Sequence, residues 1–175
     1  EHAPSVFISD FDRIRVVKTG ASVLYGTRSI GGLILLDQTA PEPQKPFEAM
    51  LHSGFRSNGR RFTEKAKVKG YFPGSETFYY QANGGYTRGG DLHTPDHNLT
   101  NTALREQDAS LSIGAKSKNM KGHINASYLK RESGILRVAH VGNFRDLQEA
   151  IEREEPWLIE PFSYEFNNPR QSNDH

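Results

Sequence analysis

Four consecutive segments of this chain alternate apolar and polar residues with a period of two. "TEKAKVKGYF" (63–72) sets Ala66, Val68, Gly70 and Phe72 against Lys65, Lys67 and Lys69. "FYYQANGGYTR" (78–88), "DASLSIGAK" (108–116) and "GHINASYLK" (122–130) repeat the pattern, the second of them setting Ala109, Leu111, Ile113 and Ala115 against Ser110, Ser112 and Lys116. Period two is the mark of strands with one apolar and one polar face. The connections alternate as well. "PGSE" (73–76) and "KNMKG" (118–122) read as tight turns, whereas 89–107 and most of 131–170 read as long loops, with "SNGRR" (57–61) a short member of the long-loop side. A soluble sandwich has no reason to gather its tight turns at one end, but transmembrane barrels pair short turns on one side with long loops on the other.

Strand length agrees with that reading, since about ten residues cross the bilayer core when tilted. Tyr71, Phe72, Phe78, Tyr79 and Tyr80 bracket the 73–76 turn, where a barrel carries an aromatic girdle. The mean hydropathy of −0.69 is low for a packed soluble domain of 175 residues, yet a net charge of +1 and 10% aromatic residues argue against disorder. The same small charge gives no reason to expect nucleic acid as a partner. The chain has no cysteine, which excludes disulfides and thiol chemistry. Its longest apolar run, "LILL", is too short for a membrane helix.

The glycine-rich stretch "GASVLYGTRSIGGLILLD" (20–37) needs separate treatment. Gly26 and Gly31 have the glycine spacing of a P-loop, but Gly32 and Leu33 stand where Lys and Ser/Thr are required. A dinucleotide fingerprint fails because "LILLD" reads as a strand, not a helix. The glycines are therefore read as turns and close backbone approaches before a strand. Residues 5–9, 14–18 and 33–37 read as short strands, and 40–46, "APEPQKP", as a linker.

Residues 12–41, "DRIRVVKTGASVLYGTRSIGGLILLDQTAP", resemble the end of the plug domain of TonB-dependent outer-membrane receptors. The plug closes with I-E-R-I-E-V-V-R-G-P-A-S-x-L-Y-G, a few residues, and I-G-G-V-I-N-I-x-T. Arg13, Ile14, Val16, Val17, Ala21, Ser22, Leu24, Tyr25, Gly26, Ile30, Gly31, Gly32 and Ile34 match it. Arg15, Lys18, Thr19, Gly20 and Leu35 depart from it; with Arg15 in place of glutamate, the usual plug–barrel pairing needs a carboxylate from the barrel.

The resemblance implies an all-β chain: the C-terminal part of a plug (1–42), a linker (43–46) and the N-terminal portion of a transmembrane antiparallel β-barrel (47–175), about five to six strands of the roughly 22 such transporters use. It implies a fragment, with the signal peptide, the segment that meets TonB and the remaining strands outside it. The implied setting is the bacterial outer membrane. The implied partners are the inner-membrane TonB complex, outer-membrane lipid and a small-molecule ligand, with a ferric siderophore or other iron chelate as the expected cargo. No enzyme activity and no cofactor are implied.

Asp91, His93, Asp96 and His97 in "DLHTPDH", together with His140, form the candidate ligand-contact loops. Pro95 between the two histidines keeps them off a shared helix face, so no metal site is assigned. Lys65, Lys67 and Lys69 form a basic stripe that faces the lumen if the opposite face meets lipid; anionic ligands or plug carboxylates are its two candidate partners. "NFRDLQEAIERE" (143–154) predicts a short helix capped by Asn143, with Phe144, Leu147 and Ile151 on one face, inside a long external loop. Two other readings use the same strands: a soluble β-sandwich with carbohydrate-binding loops, and an outer-membrane hydrolase barrel, though no G-x-S-x-G motif is present.

Overall fold

The computed structural model of the protein describes residues 13–18, 32–37, 42–136, 144–153 and 158–174. The strand expected at 5–9 and the motif residues Ser22, Tyr25, Gly26 and Gly31 lie outside them, as does His140. Of the motif residues, Ile14, Val16, Val17, Gly32, Ile34 and the backbone of Arg13 are described.

Among the described residues the chain is all-β with one short α-helix. β1 (Arg13–Val17) and β2 (Leu33–Asp37) form an antiparallel ribbon, Val17 opposite Leu33. Gly32 enters β2 at φ 122°, where a Cβ would stand 3.0 Å from the carbonyl oxygen of Val17. That is a close backbone approach at a conformation L side chains rarely adopt.

Six strands form the main sheet: β3 (Phe47–Arg56), β4 (Arg61–Tyr71), β5 (Phe78–Gly89), β8 (Leu104–Lys116), β9 (Lys121–Gly134) and β10 (Arg170–Asp174). They pair in that order, every neighbour antiparallel. Between β5 and β8 the chain makes a small ribbon of β6 (Leu92–His93) and β7 (Asn98–Leu99). Helix α1 (Phe144–Glu152) stands between β9 and β10. Among the described residues no helix is long and apolar enough to cross a membrane, a fact that does not bear on crossing by strands.

The links alternate along the chain. The β4–β5 turn closes through Phe72 N–H to Phe78 O at 3.0 Å, with Gly74 at φ 76°, and the β8–β9 turn through Ser117 N–H to Met120 O at 2.8 Å. At the opposite end lie the turn of 3₁₀-helix Asn58–Arg60, the β6–β7 ribbon and the long β9–β10 excursion. Two strands run further than their alternation suggested: β8 begins at Leu104 and β9 continues to Gly134. The reason is chemical. Beyond the apolar stretch the same face carries Arg105, Gln107, Lys130 and Glu132, so the strand persists where its apolar signal has ended.

Burial of the two faces is inverted relative to a water-soluble sheet. The register sets Gln81 beside Ser112, Asn83 beside Ser110 and Thr87 beside Glu106 on one face. Gln81 is 5% exposed and Ser112 is 1% exposed, and Ser110 and Thr87 are also buried. These polar groups bond across strands: Asn83 Nδ2 donates to Ser110 Oγ at 2.8 Å and Ser112 Oγ to Asn125 Oδ1 at 2.9 Å. The other face carries Leu51, Leu111 and Ile124, which are 73%, 47% and 81% exposed. Removing one such side chain from water is worth about 1.5–3 kcal/mol, so leaving them all wet is strongly unfavourable.

Aromatic rows border this apolar face at both ends. Phe47, Phe72, Phe78 and Tyr80 lie at the tight-turn end, the rings of Phe72 and Tyr80 5.2 Å apart. Phe55, Phe62, Tyr86 and Tyr128 lie toward the loop end, Phe55 directly opposite Phe62. Tyr71 and Tyr79, expected in the first row, instead sit on the polar face, in an edge-to-face contact at 6.4 Å. Strand alternation places them there, one position out of phase with Phe72, Phe78 and Tyr80.

Candidate functional site

The polar face holds a concavity of about 570 Å³ toward its loop end. β5 contributes Asn83, Gly84 and Thr87 to its lining, and Gly85 and Gly89 on the same strand are covered by neighbouring side chains. A Cβ on Gly85 would strike the carboxylate of Asp108, and one on Gly89 would lie 3.2 Å from Nε of Arg61. Side chains from β4 and β8 thus lie across β5.

Cations dominate the walls. Arg56, Arg61, Lys65, Lys67 and Arg131 line the concavity, against Glu106 and Asp108. Arg131 and Glu106 approach to 3.7 Å across β8 and β9. Arg56 and Arg61 are directly opposed cross-strand partners. Of the lysine stripe, all three residues share this face: Lys69 pairs with Glu48 at 3.4 Å at the tight-turn end, whereas Lys65 and Lys67 line the concavity.

The candidate contact loops divide by role. Asp91 is 2% exposed; its Oδ1 accepts from Thr102 N–H at 2.8 Å and its Oδ2 from Ser163 N–H at 3.1 Å. That carboxylate is engaged in tying two loops together. Asp96 sits with Pro95 at the tip of the β6–β7 ribbon, closed by Thr94 N–H to His97 O at 2.9 Å. His93 pairs with Asn98 across the ribbon, and its ring Nδ1 lies 3.1 Å from the Thr94 carbonyl oxygen. Among the described residues no group of three metal-ligating side chains occurs.

Residues 158–169 fold back over the loop end, an arrangement with no sequence signal beyond the spacing of Phe162, Tyr164 and Phe166. Arg60 stacks on Phe162 at 4.4 Å, while Arg88 at 4.8 Å and Arg105 at 5.5 Å share Phe166. Arg88 also donates to the Tyr164 carbonyl. Asn101, 3% exposed, anchors the return: its Nδ2 donates to Ile135 O at 2.8 Å and Pro169 O at 2.7 Å, and its Oδ1 accepts from Asn167 N–H at 2.9 Å.

At the other end the linker is fixed to the polar face. Glu42 bonds Lys116 and, at 2.7 Å, Lys121, a directly opposed pair closing the β8–β9 turn. Those hydrogen bonds, from Lys116 first and Lys121 second, hold the Glu42 carboxyl below the usual carboxylate range. Tyr71 N–H donates to Pro46 O at 3.0 Å and its hydroxyl to Pro43 O at 3.3 Å.

No protein-family model, curated protein or solved structure matches this chain.

Proposed function

We propose that this chain is a piece of a TonB-dependent outer-membrane transporter, comprising the end of a plug, a linker and the first strands of a transmembrane β-barrel. The observation that carries the reading is the inversion of the sheet. Polar side chains are buried in cross-strand contacts on one face, while an apolar stretch between two aromatic rows is exposed on the other. Lipid is the solvent in which that distribution is favourable. Along β3 the rows stand at Phe47 and Phe55, and along β5 at Phe78 and Tyr86. Eight residues at about 3.4 Å each span roughly 27 Å of strand, which at the roughly 40° tilt of barrel strands covers roughly 20 Å of an apolar band about 25 Å tall.

Three further features support it. Tight turns gather at one end and long loops at the other. The linker of 43–46 enters on the polar face at the tight-turn end, as a chain arriving from a lumenal plug would. Residues 12–41 resemble the plug-closing segment. In this reading the ligand, with an iron chelate as the expected cargo, binds among the loops. Energy relayed by TonB then opens a path, and no covalent chemistry occurs.

The test is fractionation of cells expressing the full-length protein, followed by ligand uptake with and without TonB. The reading requires the protein in the outer-membrane fraction, released by detergent and not by salt. Recovery as a water-soluble protein would instead mean that a second sheet covers Leu51, Leu111 and Ile124, as in a sandwich.

A further inference from the structure

Arg56 and Arg61 bring two like charges together at the loop end of the polar face. Directly opposed like charges destabilise a strand pair. Here both guanidiniums line one concavity, and neither has a hydrogen bond or ion pair to a carboxylate among the described residues. The neighbouring Arg131 is engaged with Glu106, which leaves that anion shared. The stem of Arg61 lies across Gly89, the last residue of β5, which carries its guanidinium along the loop-end rim of the concavity that it lines. Arg56 stands on the first strand of the sheet and Arg61 on the second, with one short turn between them; their separation is therefore fixed by the ladder.

We propose that the Arg56–Arg61 rung is an oxyanion site, receiving a carboxylate or phosphate group of a small ligand that enters the concavity from the loop end. Two guanidinium groups on one rung suit the planar, bidentate recognition that arginine gives to such groups. The bound anion supplies the counter-charge that the rung lacks. Lys67, farther along the concavity, favours a ligand carrying more than one anionic group. As a cargo site this rests on the transport reading; as an anion site it stands on the rung alone.

The experiment is titration calorimetry of the full-length protein with citrate and, separately, pyrophosphate, at low and at physiological salt. The two probes distinguish a carboxylate ligand from a phosphate one. Binding of either, weakened about tenfold or more in Arg56→Gln/Arg61→Gln and unchanged in Arg145→Gln on the exposed helix, is the expected result. The conservative pair Arg56→Lys/Arg61→Lys keeps the charge and removes the forks, so it should bind with intermediate affinity even if the glutamine pair fails to fold. Absence of binding by both probes would overturn the site, and so would equal binding by wild type and the lysine pair. The transport reading is decided separately by fractionation, so either idea can fail without the other.

Discussion

The phenol ring of Tyr79 occupies the space above Gly114, its cross-strand partner, and a Cβ at Gly114 would stand 2.5 Å from the Tyr79 hydroxyl oxygen. Tyr79 is fully buried by this arrangement. An aromatic ring laid over a cross-strand glycine covers the backbone and pins the register. Gly114→Ala should therefore destabilise the β5–β8 pair by about 1–3 kcal/mol, the usual cost of overpacking. Chemical denaturation of the full-length protein in detergent measures it. A change within experimental error would mean that the ring is free to move aside.

The loop end depends on Asn101. Asn101→Ala removes two donated hydrogen bonds and one accepted hydrogen bond of a buried amide and leaves their backbone partners unsatisfied. At about 1 kcal/mol for each bond, the loss is about 3 kcal/mol of local stability. It also places alanine at φ 63°, which asparagine tolerates better. Hydrogen exchange should show residues 158–169 released while β8 and β9 stay protected. Loss of protection throughout the sheet would show instead that the loop supports the strands.

The Glu42 clamp carries a definite pH dependence. Its carboxyl is held below the ordinary range by Lys116 and Lys121, so the folded-state pKa is depressed. Such a group contributes stability that is present above its unfolded value of about 4.3. The contribution is lost as the pH falls through the lower folded value. Protection of the Gln44 and Lys45 amides, measured relative to their intrinsic exchange rates at each pH, should thus stay constant from neutral pH to the mid-fours and fall only below. Glu42→Gln should show the released behaviour already at neutral pH. Identical profiles for the two proteins would remove the clamp.

Leu111 separates lipid from water as the solvent of the apolar face. It lies mid-strand between Ala82 and Ala126 and is substantially exposed. Leu111→Arg should cost about 2–4 kcal/mol if this position faces the bilayer midplane. At an open surface in water the cost would be within about 0.5 kcal/mol. Unfolding in lipid vesicles, compared with wild type, reads the difference directly, and the small value would argue against membrane insertion.

The architecture was legible where one residue type repeats at a fixed spacing. Alternation in 63–72, 78–88, 108–116 and 122–130 marked four of the six strands of the main sheet, and the PGSE and KNMKG segments marked its two tight turns. The helix expected at 143–154 is observed at Phe144–Glu152. The loop residues were less legible. Asp91 reads as an exposed ligand contact from its neighbours in "DLHTPDH", but it is buried because Ser163, far along the chain, comes to meet it. Nothing near Asn101 in sequence indicates that it binds residues 135, 167 and 169.

By itself, the sequence determined which residues share a face, because strand geometry sends neighbours to opposite sides whatever the partner strand. It also determined where the chain turns, because glycine and proline act on their own backbone. Only the tertiary structure decided which polar side chains are buried and which charges stand unpaired, such as Arg56 against Arg61. Those depend on register between strands and on loops returning from far along the chain. A hydrogen bond or an ion pair is a property of two positions, and local sequence specifies only one of them.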